Sequence, residues 1–470
     1  MKTLWRLMML LYAPARTTRN NRHTVSPTSI LAVLAFATTT AMVLTVLSGL
    51  HAFMLRAKAA HAWDALTSAS STSQADPLDL MSGIYVTLAI FACLILLVPI
   101  GTLGGAAARL AAHRRDAQLS ALRLAGATSM QVTWLTAVVA AGQALTGSIF
   151  GIIGYIAAMP IIKLLRFQNR EFTWQELWLG IPTLLLVVLV VTVLALCSAL
   201  LALHRVIVSP LSVSNRTTPS ALRHWRAWLM VILIALSIGL FRSPWASSAL
   251  GIAFIMIMIT ACFAVLNTVG PWVIHVSARR MMRHPSSAAH LIALGRVLDD
   301  PKRAWRNIAG VALAVFVCGI TALCAFFASD SGNDITQQIF LHDIGLGGNL
   351  TLAFATILAA VSCAIAQVSA VFDAQREYRT LVLSGTDMRT LDRARLLEVW
   401  LPLRAVVLVS IGCVCVLLFP LVGAVVFMQP ITLIAFAFGI VLSMSLVLLA
   451  VTASHLVAHR VVRLDRREDD

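Results

Sequence analysis

The stretch Arg114-Arg115-Asp116-Ala117-Gln118-Leu119-Ser120-Ala121-Leu122-Arg123-Leu124-Ala125-Gly126-Ala127 decides how this chain is built, because its pattern recurs in the same context 259 residues later. Its counterpart is Asp373-Ala374-Gln375-Arg376-Glu377-Tyr378-Arg379-Thr380-Leu381-Val382-Leu383-Ser384-Gly385-Thr386. Each follows one long apolar segment and precedes another. Aligning Gly126 with Gly385 pairs Gln118 with Glu377, Leu119 with Tyr378, Leu122 with Leu381 and Leu124 with Leu383. The pattern reads as a duplicated membrane unit that shows matched segments to the same side.

Composition explains what surrounds these segments. A hydrophobic fraction of 59%, only 12% charged residues and a mean hydropathy of +0.87 exclude a soluble globular chain, in which charged residues run near 25%. The apolar residues gather into runs long enough to cross a hydrocarbon core about 30 Å thick as helices. Ten such runs are expected, roughly at 28–55, 80–105, 131–160, 177–203, 227–241, 247–274, 308–328, 350–372, 401–428 and 431–456, the fifth being the shortest. The fold class is therefore an all-α polytopic membrane protein.

The net charge of +16 reports topology rather than a nucleic-acid partner. With the N-terminus placed in the cytoplasm, 29 of the 36 Lys/Arg fall in inner segments and six in outer ones, with Arg404 inside a span. That bias satisfies the positive-inside rule, and an even number of spans puts both termini inside. The eight cysteines all fall in predicted spans without metal-ligand spacing, so neither a disulfide framework nor a metal site is expected. The arginine-rich residues before the first span do not read as a cleaved signal peptide.

Along the chain the order is amphipathic segment, four spans, two spans, amphipathic segment, four spans. The first segment is Leu4 to Leu11 and the second His290 to Leu298, the latter followed by Asp299-Asp300-Pro301, which reads as a helix end and turn. The expected divisions are 1–206 and 286–470 for two parallel four-span repeats, joined by a linker with a two-span hairpin over 207–285. Outer loops are expected near 58–79 and 329–348, too short for a folded domain. Their acidic residues, Asp343 among them, are expected to be solvated.

The repeated segments resemble those of the FtsX-like, or MacB-type, permeases of ABC transporters. In that family a helix leaving the second span of each unit runs Arg-x-x-Glu-h-x-h-h-(Arg)-x-h-Gly-Ala/Thr (h, hydrophobic), with a Glu early in the next span. Glu377, Leu381, Gly385, Thr386 and Glu398 follow this pattern in the second copy, and Arg115, Leu119, Leu122, Arg123, Gly126 and Ala127 in the first. Gln118 stands where the family has Glu, and Gln143 lies one turn later than its second Glu. The resemblance covers roughly 300 residues in two units; ten-span members of the family carry a large outer domain, which this sequence lacks.

The resemblance implies a transport subunit of the plasma (inner) membrane, working with two copies of a cytoplasmic ATPase. Gln118, Leu119, Leu122 and Gly126 would form one ATPase-coupling segment, and Glu377, Tyr378, Leu381 and Gly385 the other. Physical chemistry agrees: an amphipathic helix docks by its apolar edge into a partner groove, and glycine ends it in a left-handed conformation. The sequence holds no Gly-x4-Gly-Lys-Ser/Thr phosphate loop. ATP and magnesium would accordingly be bound by the partner, with no cofactor and no catalysis in this chain. Short outer loops favour a hydrophobic or amphipathic substrate taken from membrane lipid, such as a lipid, drug, haem-like molecule or lipophilic peptide.

Polar residues inside the spans are few. Gln143 and Gln367 read as interhelical hydrogen-bond partners, Arg404 as a snorkelling arginine near the cytoplasmic end, and Glu398 as its partner or that of a neighbouring helix. Glycine pairs Gly147/Gly151 and Gly101/Gly105 read as close helix contacts. Two rival readings are a signalling or regulatory membrane protein driven by an ATPase, and an ion-coupled secondary transporter.

Overall fold

The computed structural model describes residues 27–67, 82–113, 128–208, 249–330, 335–373, 384–422 and 430–466, with positions 232, 235, 239 and 380 between them. Among these residues six helices are long and apolar enough to cross a membrane: Ser29–Ala60, Ser82–Gly105, Ala137–Lys163, Trp174–Ser198, Ile335–Ser369 and Arg389–Cys415. The chain is an all-α polytopic membrane protein. The amphipathic segment at Leu4 to Leu11 and nearly all of the expected fifth span lie outside the described residues.

The first helices are α1 (Pro27–Thr67), α2 (Ser82–His113) and α3 (Ser129–Lys163). A short hairpin follows, β1 (Arg166–Phe167) with β2 (Arg170–Glu171), then α4 (Trp174–Leu177) and α5 (Ile181–Val208). The remainder comprises α6 (Ala249–Met281), α7 (Ala288–Asp299), α8 (Pro301–Asp330), α9 (Ile335–Asp373), α10 (Met388–Val422) and α11 (Pro430–Arg466). Local chemistry sets several boundaries. Proline occupies the first turn of α1, α8 and α11, where its missing N–H is no loss. Ser287 caps α7 by accepting from His290 N–H at 3.2 Å, and Asp300 caps α8 by accepting from Arg303 N–H at 3.0 Å. Asp299-Asp300-Pro301 is thus the helix end its sequence implies, and it also starts the next helix at once.

One expectation needs correction, and one element was not expected. Of the outer loops expected near 58–79 and 329–348, the described residues are helical: α1 runs on to Thr67, and α9 already begins at Ile335. At 41 and 39 residues these helices are about 60 Å long, twice the hydrocarbon thickness. Apolarity stops where the lipid stops, but a helix needs only backbone hydrogen bonds to continue. The second departure is the β-hairpin, whose central residues Gln168 and Asn169 have φ of 55° and 57°. Two consecutive positive φ values give the primed turn whose twist suits a two-residue hairpin.

The described residues fall into two compact units: Met1–Ser48, Ile100–Ile162 and Trp178–Arg216 form one, and Gly49–Pro99, Lys163–Leu177 and Thr217–Asp470 the other. In the first, α3 lies directly on α1. A Cβ added at Gly147 would stand 2.5 Å from Phe36 Cβ, and one at Gly151 would stand 2.6 Å from Thr40 Cβ. The expected close contact at Gly147/Gly151 is therefore present, whereas Gly101 meets nothing within 4 Å. In the second unit α8 packs against α9, α10 and α11. Val311, Ala312, Leu313, Ala314 and Val315 are all 0% exposed, the signature of a helix buried on every side.

Candidate functional site at α7 and α10

Residue by residue, the described part of the second repeated segment agrees with a helix that ends at glycine. Ser384 N–H donates to Thr380 O at 2.9 Å, and Gly385 follows with φ of 91°. That left-handed conformation is the one glycine adopts after a helix end without a Cβ penalty. The chain then turns into α10, whose first amides at Thr390 and Leu391 donate to Asp387 O at 3.0 and 3.3 Å. The coupling residues Gln118, Leu119, Leu122, Gly126, Glu377, Tyr378 and Leu381 lie outside the described residues.

Ten residues beyond the start of α10, Glu398 meets Arg296 of the amphipathic helix α7 at 3.7 Å, both side chains being under one-fifth exposed. Arg296, Asp300, Arg303, Asn307 and Glu398, together with apolar Val297, Ala304, Ile308 and Val399, line a small cavity where α7, the bend into α8, and α10 come together. Ala289, Ala293, Leu294 and Val297 form the buried face of α7, at the helical spacing that an amphipathic segment requires. Its apolar stripe and its ion pair together fix α7 to the helix that receives the repeated segment.

Arg404 does not pair with Glu398. The two are six positions apart on α10 and so point to different faces. Arg404 is exposed, and its Nη2 reaches Met281 Sδ at 3.6 Å, at the end of α6. Gln367 is 1% exposed within α9. Gln143 keeps its Oε1 buried without a hydrogen-bond partner among the described residues, so its expected interhelical bond is not seen there.

A second polar cluster was not anticipated from sequence. Arg56, near the C-terminal end of α1, donates from Nε to Glu176 Oε1 at 2.9 Å and from Nη2 to Glu176 Oε2 at 3.2 Å. It also donates to Phe167 O, Glu171 O and Gln168 Oε1, and its guanidinium lies 4.5 Å from the Phe172 ring centroid. Glu176 is further held by Thr173, with Thr173 N–H to Oε2 at 2.8 Å and Glu176 N–H to Thr173 Oγ1 at 3.3 Å. Thr173-Trp174-Gln175-Glu176 is thus a capping box, the sequence signal that would have placed Glu176 at a helix start.

Asp343 is the other anchor, and its expected solvation is overturned. It is 3% exposed, and its Oδ2 accepts from Tyr85 Oη and from Gln168 N–H, each at 2.7 Å. Phe53, Tyr85, Phe167, Phe172 and Phe340 surround the pair with ring centroids 5.5–5.8 Å apart. The carboxylate is buried because α9 starts early and delivers it to the hairpin. The clusters contain no three-residue His/Cys/Asp/Glu group able to hold a metal among the described residues. No protein-family model, curated protein or solved structure matches this chain.

Proposed function

We propose that this chain is the membrane subunit of an ABC transporter, organised as two parallel four-span repeats joined by a two-span hairpin. Two copies of a separate ATPase, which bind ATP and magnesium, dock at Gln118–Gly126 and Glu377–Gly385. The chain itself performs no catalysis. Closure of the ATPase pair moves the attached spans and expels a hydrophobic or amphipathic molecule from membrane lipid. The protein lies in the plasma (inner) membrane with both termini in the cytoplasm.

The observation that carries this reading is the repeated segment, Gln118 to Gly126 and Glu377 to Gly385, between long apolar runs. The left-handed Gly385 supports it, because a docked helix must end sharply to transmit force into α10. The packing of α7 on α10 through Arg296 and Glu398 offers that force a path into the bundle.

Affinity purification of the chain from its native membrane in mild detergent tests the reading. The wild type is compared with Leu122→Asp plus Leu381→Asp. A phosphate-loop ATPase at about two copies per chain, lost in the double variant, is the expected result. Recovery of the intact chain without any ATPase, even after crosslinking, sinks the proposal and leaves the ion-coupled transporter in its place.

A further inference from the structure

α9 joins two places of different character. Its C-terminal end, Asp373, opens the second repeated segment, and its other end carries the buried Asp343. The helix is continuous between them and contains no proline, unlike α2, α3 and α6 with Pro99, Pro160 and Pro271. Asp343 and Asp373 are therefore the two ends of a rod about 45 Å long. A displacement applied at Asp373 is carried along the helix as far as the glycine-containing turn that follows Asp343.

What the far end meets is made to hold. A single carboxylate oxygen takes two short hydrogen bonds, from the Tyr85 hydroxyl on α2 and from the Gln168 amide in the hairpin. Such charge-assisted bonds are about twice as strong as neutral ones and are short when well made. The hairpin is in turn stapled by Arg56 to the end of α1. One residue on α9 is thus tied directly to two elements from the first half of the sequence, and through the hairpin to α1.

Just after Asp343 the rod has a weak turn. Gly345, Gly347 and Gly348 follow within five residues. Gly348 is required by packing, since an added Cβ there would collide with Thr321 Cγ2. Gly345 is not: an added Cβ meets nothing within 4 Å, and at Gly347 the nearest atom, Phe167 Cε1, is at an ordinary 3.7 Å. Glycine in a helix interior weakens it, and here no contact requires that weakness. A flexible turn next to a strong anchor lets the first turns of α9 swing when the anchor releases.

We propose that Asp343, held by Tyr85 and Gln168, is a latch that closes the end of the bundle remote from the coupling segments and releases when the cycle moves α9, with Gly345 and Gly347 as its hinge. The inference rests on the transporter reading for what drives the release, but not for the existence of two states.

The experiment uses the full chain without native cysteines, reconstituted in lipid nanodiscs. Spin labels at Arg166→Cys and Ile335→Cys, both 71% exposed, report the separation of hairpin and α9 by pulsed electron resonance. The unlatched state is expected as a discrete second distance, differing by more than about 2 Å as rearrangements do. It grows severalfold in Asp343→Asn and in the milder Tyr85→Phe, and shrinks again when Gly345→Ala is added. Unchanged or merely broadened single distances in both latch variants overturn the proposal and make the cluster a static clamp. If the discrete state is present but ATP with the co-purified ATPase does not populate it, the latch stands and the transporter reading fails.

Discussion

Arg56 uses every N–H of its guanidinium within one cluster, which makes it the most committed polar side chain described in this protein. Removing one partner of a fully buried pair costs about 3–5 kcal/mol, because the remaining charge is left uncompensated; this pair, at 11% and 19% exposure, stands below that range. Glu176→Gln is therefore expected to lower the thermal midpoint of the purified protein sharply, whereas Thr173→Ala, which removes only a cap, costs about 1 kcal/mol. Thermal unfolding in matched detergent checks the order of the two. A different mechanism acts at Gly151, where a valine must push into Thr40; overpacking of this kind costs about 1–3 kcal/mol, and the same melts would register it. At this scale the sequence was legible where a residue's neighbours are local. Gly147 and Gly151 read correctly because small residues one turn apart have one common use in membranes. Asp343 did not, because its partners Tyr85 and Gln168 are remote in sequence and its burial depends on where α9 begins.

Elements were easier to foresee than their ends. α7 follows from the apolar spacing of Ala289, Ala293, Leu294 and Val297 together with Asp299-Asp300-Pro301. The extensions of α1 and α9 did not follow, since loss of hydrophobicity marks the edge of lipid and not the edge of a helix. The hairpin was missed because Gln168-Asn169 lacks the glycine that usually announces a primed turn, the positive φ of Gln168 being held instead by the bond from its amide to Asp343. The α7–α10 joint makes its own prediction. Arg296→Glu should loosen α7 and speed tryptic cleavage at Arg283, in the exposed turn before it. A loss of about 1 kcal/mol corresponds to roughly fivefold in the open fraction. Adding Glu398→Arg should restore protection; a double variant cleaved as fast as the single one would mean that the pair contributes nothing to docking.

For the whole molecule, two exposed turns decide the number of crossings. Asn169 in the hairpin and His284 before α7 are both exposed. Between them lie α5, the short apolar run at 227–241 and α6. If all three cross, the turns lie on opposite sides, and an impermeant maleimide added outside intact cells labels Asn169→Cys but not His284→Cys. Labelling of both, or of neither, would mean that the short run does not cross and that the ten-span plan fails. The bundle that makes these crossings holds many hydroxyls. Thr39, Thr45, Ser48, Thr356 and Ser443 are buried, and each donates its proton to a carbonyl one turn back in its own helix, at 2.7–2.9 Å. Thr356 and Ser443 approach to 3.2 Å, yet a hydroxyl has one proton, so bonding across the helices competes with bonding backwards. A relay for hydrogen ions needs hydroxyls free to pass a proton forward in single file. Here Thr39, Thr45, Ser48, Thr356 and Ser443 spend their protons on their own helices, whereas Thr40 and Ser148 face each other across α1 and α3 at 3.3 Å, so the five act as filler between helices and the second pair as a link.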